Sequence, residues 1–180
     1  MSSVEEQYLD SVKKRFLDYK KLGEKAMDQL ETAQLFQAPN EDSNSITVII
    51  QHLWGNMLSR WTNFLTEDGE KEWRERDAEF ENHPTNREEL MKKWEEGWAC
   101  LFNALDALQP EDLLKTIYIR HEAHTAMDAI NRQLAHYPYH IGQIVYAAKW
   151  LKGEGFKSLS IPKGQSKQFN AGMSSKGHDK

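Results

Sequence analysis

"LAHYPYHIGQ", residues 134–143 of a 180-residue chain, decides how the rest is read. His136 and His140 stand four apart, the spacing that puts two side chains on one face of a helix. Pro138 lies between them, where it removes the amide bond to the Leu134 carbonyl and crowds that turn, costing about 3 kcal/mol unless relieved. Two readings are open: one helix kinked at Pro138 that carries both histidines, or a new helix starting there that leaves His136 outside. The apolar residues keep helical phase from Ala126 to Leu151, which favours the kinked helix.

On that helix Ile130, Leu134, Tyr137, Ile141, Val145 and Ala148 form the core stripe, and both histidines fall on its flank. Their neighbours there, Ala129, Gln133, Gln143 and Ala147, are small or uncharged where a solvated face would carry Lys and Glu. A segment nearer the N-terminus repeats the pattern, with Ser45, Val48, His52, Gly55, Asn56, Ser59 and Asn63 beside an apolar stripe. If the two strips face each other, His52, His136 and His140 converge, and three neutral imidazoles make a site for a divalent transition metal with open positions. The same spacing also fits ordinary, partly buried histidines with protein partners.

The remaining segments extend the helical pattern. Val4, Tyr8, Val12, Phe16, Tyr19, Leu22, Ala26 and Leu30 step by three and four, which predicts a first helix over roughly 4–35, ended by "QAPNEDSNS". A second helix is expected over about 45–65, with Ile46, Ile49, Ile50, Leu53, Met57, Trp61 and Phe64 inward. Residues 67–84 read as a charged surface loop pinned by Trp73 and Phe80. Thr85 with Glu88 reads as a capping box opening a third helix through Leu108, and Thr125 with Asp128 as one opening the fourth. "KTIYIR" is an isolated β-like run, too little for a sheet. The expected fold is therefore all-α, a four-helix bundle over 1–152, with a long loop between helices two and three and an extended Gly/Lys-rich tail over 153–180.

Composition narrows the function. A net charge of −5 with mixed signs argues against a nucleic-acid surface, and the lysines gathered after Gly153 read as a solvated tail. No apolar run is long enough to span a bilayer, and the single cysteine, Cys100, forms no internal bridge, so a soluble cytoplasmic protein is expected. Arg60 falls on the apolar face of helix two and Arg132 beside the His136 flank, each suited to an internal carboxylate or an anionic ligand. His121 and His124 read as surface or supporting groups; His83 and His178 read as solvated.

The stretches "QHLWGNMLSRW" (51–61), "FLTEDGEKEWRERDAEFE" (64–81), "AINRQLAHYPYHIGQIVYAAK" (129–149) and "SIPKGQSKQFN" (160–170) together resemble the DinB-like superfamily of small metal-binding bundles. The resemblance implies up-down-down-up topology, frequent homodimers, and one divalent metal per chain on His52, His136 and His140. Zinc is the expected ion, with nickel, manganese or iron as other occupants. Characterised members of that superfamily include transferases that join a low-molecular-weight thiol to a small electrophile. The expectation is thus a metal-dependent thiol S-transferase with a small-molecule substrate oriented by Asn56, Arg60, Gln133 and Gln143. The alternatives are a metal-dependent hydrolase and a non-catalytic metal-binding or dimerisation module. Pro138 departs from the pattern expected in that helix.

Overall fold

The structure, a computed structural model, describes residues 2–81 and 86–174. It is mostly helical, with one two-stranded hairpin. Helix α1 (Val4–Met27) starts on a complete capping box, in which Ser3 Oγ accepts the Glu6 amide and Glu6 accepts the Ser3 amide. It stops at Met27, and a separate turn of helix, α2 (Thr32–Leu35), follows, where the sequence predicts one helix to residue 35. The break is stabilised from a distance: the Arg87 guanidinium donates to the Leu30 carbonyl at 3.0 Å and to the Met27 carbonyl, which also accepts the Leu30 amide, at 3.3 Å. Val4, expected inward, is 80% exposed in the first turn.

Helix α3 (Ile46–Trp61) is capped by Ser45, whose hydroxyl accepts the Val48 amide. It ends short of the predicted residue 65 because Asn63 adopts a left-handed conformation, tolerated by asparagine, and its carbonyl accepts the Thr66 and Glu67 amides. Nearly every α3 side chain is buried, Trp54 and Leu58 being the partly exposed ones. Helix α4 (Arg87–Ala107) is capped by Asn86, which accepts the Glu89 amide; Thr85, expected to cap it, lies outside the described residues.

"KTIYIR" is not isolated. Strand β1 (Thr116–Ile119) pairs antiparallel with β2 (Glu122–Thr125), in register Thr116↔Thr125 to Ile119↔Glu122. Arg120 and His121 turn the hairpin with φ of 56° and 66°, an arrangement held by Asp68, whose carboxylate accepts both of their amides at 2.8 Å. Thr125 then caps α5 (Ala126–Lys152), accepting the Asp128 amide. This helix runs unbroken through Pro138, which places His136 and His140 on one helix. Past Gly153 the chain is not wholly extended, since it forms a further helix, α6 (Ser166–Ser174).

The four long helices share one core. Helix α1 packs along α5 and α3 along α4, while α3 also meets α5 and α1 meets α4. Phe16, Trp61, Trp98 and Tyr137 interlock at its centre, with Phe16 5.8 Å from Tyr137 and 6.4 Å from Trp61 between ring centroids. The contact between α3 and α5 is what brings the two histidine-bearing strips together.

Candidate metal centre

His52 comes from the middle of α3, and His136 and His140 from consecutive turns of α5. Nε2 of His136 lies 3.4 Å from Nε2 of His52 and 3.0 Å from Nε2 of His140, and one ligand atom from each histidine falls within 4.8 Å of the others. Among the described residues this is the grouping that could hold a metal ion.

The other ring nitrogen of each imidazole is held by an oxygen. Nδ1 of His52 donates to Glu79 Oε2 at 2.9 Å, Nδ1 of His136 to Gln133 Oε1 at 3.2 Å, and Nδ1 of His140 to Gln143 Oε1 at 2.7 Å. A carboxylate or amide oxygen only accepts, so each Nδ1 carries the proton and each Nε2 presents a lone pair to the common centre. Lone pairs facing one another at 3.0–3.4 Å repel unless a cation lies between them. Nitrogens on a tetrahedral zinc, at the usual bond lengths, sit about 3.3 Å apart. The donor set therefore fits a divalent transition ion, which Nε2 of His52, His136 and His140 would hold, each ring being oriented by its Nδ1 partner.

Electrostatics keep His136 and His140 neutral. Burial, the two neighbouring imidazoles, and the charges of Arg60 and Arg74 push His136 down to about 3. Burial likewise lowers His140. Burial pushes the Glu79 carboxyl up, yet hydrogen bonds from His52 and Arg74 and the guanidinium charge outweigh it and hold Glu79 below the usual carboxylate range. It is ionised at neutral pH.

The residues expected to orient substrate are engaged with the protein. Gln133 and Gln143 hold imidazoles, as described. Asn56 accepts from the Tyr137 hydroxyl at 3.0 Å, which in turn accepts from Trp61 Nε1 at 2.9 Å. Arg60 is buried and pairs with Glu70 at 3.0 Å, and it also donates to the Gly69 carbonyl. The hairpin histidines stay out of the cluster: His121 is almost wholly exposed beside Asp68, and His124 bonds Asp128 at 2.7 Å. His83 and His178 lie outside the described residues. Cys100 is half-buried near Thr62, and burial pushes its thiol up, away from reactivity.

Sequence reading missed Glu79 and Arg74. The segment that reads as a charged surface loop buries Lys71, Glu79 and the Arg74 side chain, while Trp73, expected to pin it, is 56% exposed. Arg74 donates to Glu79 through Nε at 2.8 Å and Nη2 at 3.0 Å, and Phe80 lies 5.1 Å from the His52 ring. The signal was present in α3. A Cβ on Gly55 would come within 2.8 Å of Glu79 Cδ, and Ser59 Oγ donates to the Gly69 carbonyl at 2.7 Å. The uncharged strip is thus where the charged loop docks.

No helix among the described residues is long and apolar enough to cross a membrane. No curated protein and no solved structure matches the chain. The family model described as "Protein of unknown function (DUF1572)" matches residues 3–165, and the chain belongs to that family.

Proposed function

We propose that the chain is a divalent-metal-dependent enzyme of the DinB-like type, built on an up-down-down-up four-helix bundle, that activates a low-molecular-weight thiol for attack on a small electrophile. The observation that carries this reading is the convergence of three Nε2 lone pairs whose Nδ1 protons are all committed to fixed oxygens. When bound, a divalent ion supplies the Lewis acidity that holds a small thiol deprotonated at neutral pH. Glu79, Gln133 and Gln143 orient the imidazoles, and the buried Glu79 carboxylate raises the donor strength of His52.

The alternative of a closed structural site requires a fourth protein ligand. The acidic candidate nearest the cluster, Glu79, spends its oxygens on His52 and Arg74, and Glu122 stands on the hairpin beside His124. An open centre also suits hydrolysis, with water in place of the thiol. Zinc is the expected ion, and homodimers in the cytoplasm are the expected state on the DinB-like likeness.

Elemental analysis of the purified protein tests the centre: one divalent ion per chain is expected, lost in His52→Ala and His136→Ala. Titration of the cobalt-substituted protein with small thiols tests the chemistry. A sulfur-to-metal charge-transfer band that is absent from His140→Ala supports thiol activation. An unchanged spectrum with cobalt still bound overturns it and puts hydrolysis ahead.

A further inference from the structure

The three histidines open onto a cleft of about 390 Å³ whose charged lining, apart from the histidines, is all cationic. Arg60, Arg74, Arg76, Arg120 and Arg132 contribute to its walls, and no acidic residue does, in a chain whose net charge is −5. Two carboxylates behind the wall offset part of this charge: Glu70 pairs with Arg60 and Arg120, and Glu79 with Arg74. Arg76 and Arg132 pair with no carboxylate among the described residues; Arg76 lies over the Phe80 ring, 5.4 Å from its centroid. One donor in the wall is also unspent: Nε of Arg60 is buried without a hydrogen-bond partner, whereas Nη1 of Arg74 stands 3.6 Å from Glu70 Oε1.

We propose that this cleft takes a small ligand bearing a carboxylate or phosphate, with the anionic group gripped by Arg76 and Arg132 and the reacting end turned toward the histidine cluster. Two unpaired guanidiniums that share a concave wall, backed by buried cations, favour an anion over a neutral group of the same shape, because water is partly excluded and each fork donates two charge-assisted bonds. Phe80 and Tyr139, exposed at the same cleft, supply apolar surface for the ligand's body. The position of the reacting end rests on the histidine centre described above, whereas the grip on the anion does not.

The test is calorimetric titration of the full-length protein, at measured metal content, with phenylphosphate, phenylacetate and the neutral phenylacetamide. At least one anion should bind, with phenylacetamide about tenfold weaker or more, and added sodium chloride should weaken the anion. The variant Arg76→Gln/Arg132→Gln should bind the anion about tenfold more weakly at unchanged metal content. Both side chains are exposed, so the fold is not at stake, and circular dichroism checks this. The better of the two anions identifies the group as phosphate or carboxylate. The proposal is overturned if neither anion binds at millimolar concentration, if phenylacetamide binds as well, or if the double variant binds equally. Loss of anion binding with metal retained isolates the arginine wall from the metal centre. Arginine-dependent binding in protein that holds no metal would instead sink the metal reading and leave this one standing.

Discussion

The Glu79 carboxylate accepts the Nδ1 proton of His52 at 2.9 Å while Arg74 grips its two oxygens, so a loop residue fixes the tautomer of a core histidine on another element. The pairing lies inside the protein, where neither charge is free to find water.

Glu79→Gln keeps an acceptor but removes the charge that strengthens His52. It should lower zinc affinity by about 10- to 100-fold with the fold intact, read by competition with a chromophoric chelator. Glu79→Ala additionally leaves the buried Arg74 with Glu70 alone, 3.6 Å from Nη1, and should destabilise the protein by about 1–3 kcal/mol in denaturant unfolding. Equal zinc affinity in Glu79→Gln and wild type would show that Glu79 only anchors the loop.

Gly55 and Gly142 give opposite expectations for one substitution. At Gly142, exposed on α5, nothing lies within 4 Å of an added Cβ, so Gly142→Ala should stabilise by about 0.5–1 kcal/mol through helix propensity alone. At Gly55 the added methyl meets the Glu79 side chain, and that carboxylate must leave His52. Gly55→Ala should therefore lose zinc affinity even if its thermal midpoint is unchanged. Wild-type affinity there would mean the loop yields without moving Glu79.

The long helices and the three histidines were legible because both are periodic signals: apolar residues every three or four positions, and uncharged flanks at matching places on two helices. The hairpin and the second half of the site were not. Glu122–Thr125 has little strand character by itself, and it pairs because Asp68, more than 50 residues earlier, accepts the turn amides. Glu79 looked like solvated charge, since the partner that buries it, Arg74, sits in the same charged run. Local periodicity carries no information about either contact. Pro138 was the feature most at odds with a helix, and α5 absorbs it while packed against α1 and α3.

Acid should loosen the hairpin turn through Asp68. Burial pushes its carboxyl up, but amide bonds from Glu70, His121 and Arg120 outweigh that and hold it below the usual aspartate range. With the folded value depressed, this stabilisation is complete above the unfolded aspartate value, near pH 4, and is lost as pH falls through the lower folded value. Asp68→Asn should lower stability at pH 7 and converge with wild type in strong acid. Parallel unfolding profiles from pH 7 to pH 3 would refute a titrating role for this group.

Tyr137, fully buried next to His136, links the core to the site: its hydroxyl accepts from Trp61 Nε1 and donates to Asn56 Oδ1. Tyr137→Phe keeps the ring that packs on Phe16 and Trp98 but leaves an indole donor and an amide acceptor unpaired. Each such group costs about 1–3 kcal/mol when buried, unless water enters to satisfy it. The variant should lose about that much stability in denaturant titration with an unchanged m-value. Because the three imidazoles are oriented by Glu79, Gln133 and Gln143 rather than by Tyr137, metal stoichiometry should stay the same. A variant as stable as wild type would mean that the hydroxyl's two bonds are replaced in full; one that also loses its metal would show that the Asn56–Tyr137–Trp61 chain sets the spacing of α3 and α5 at the histidines.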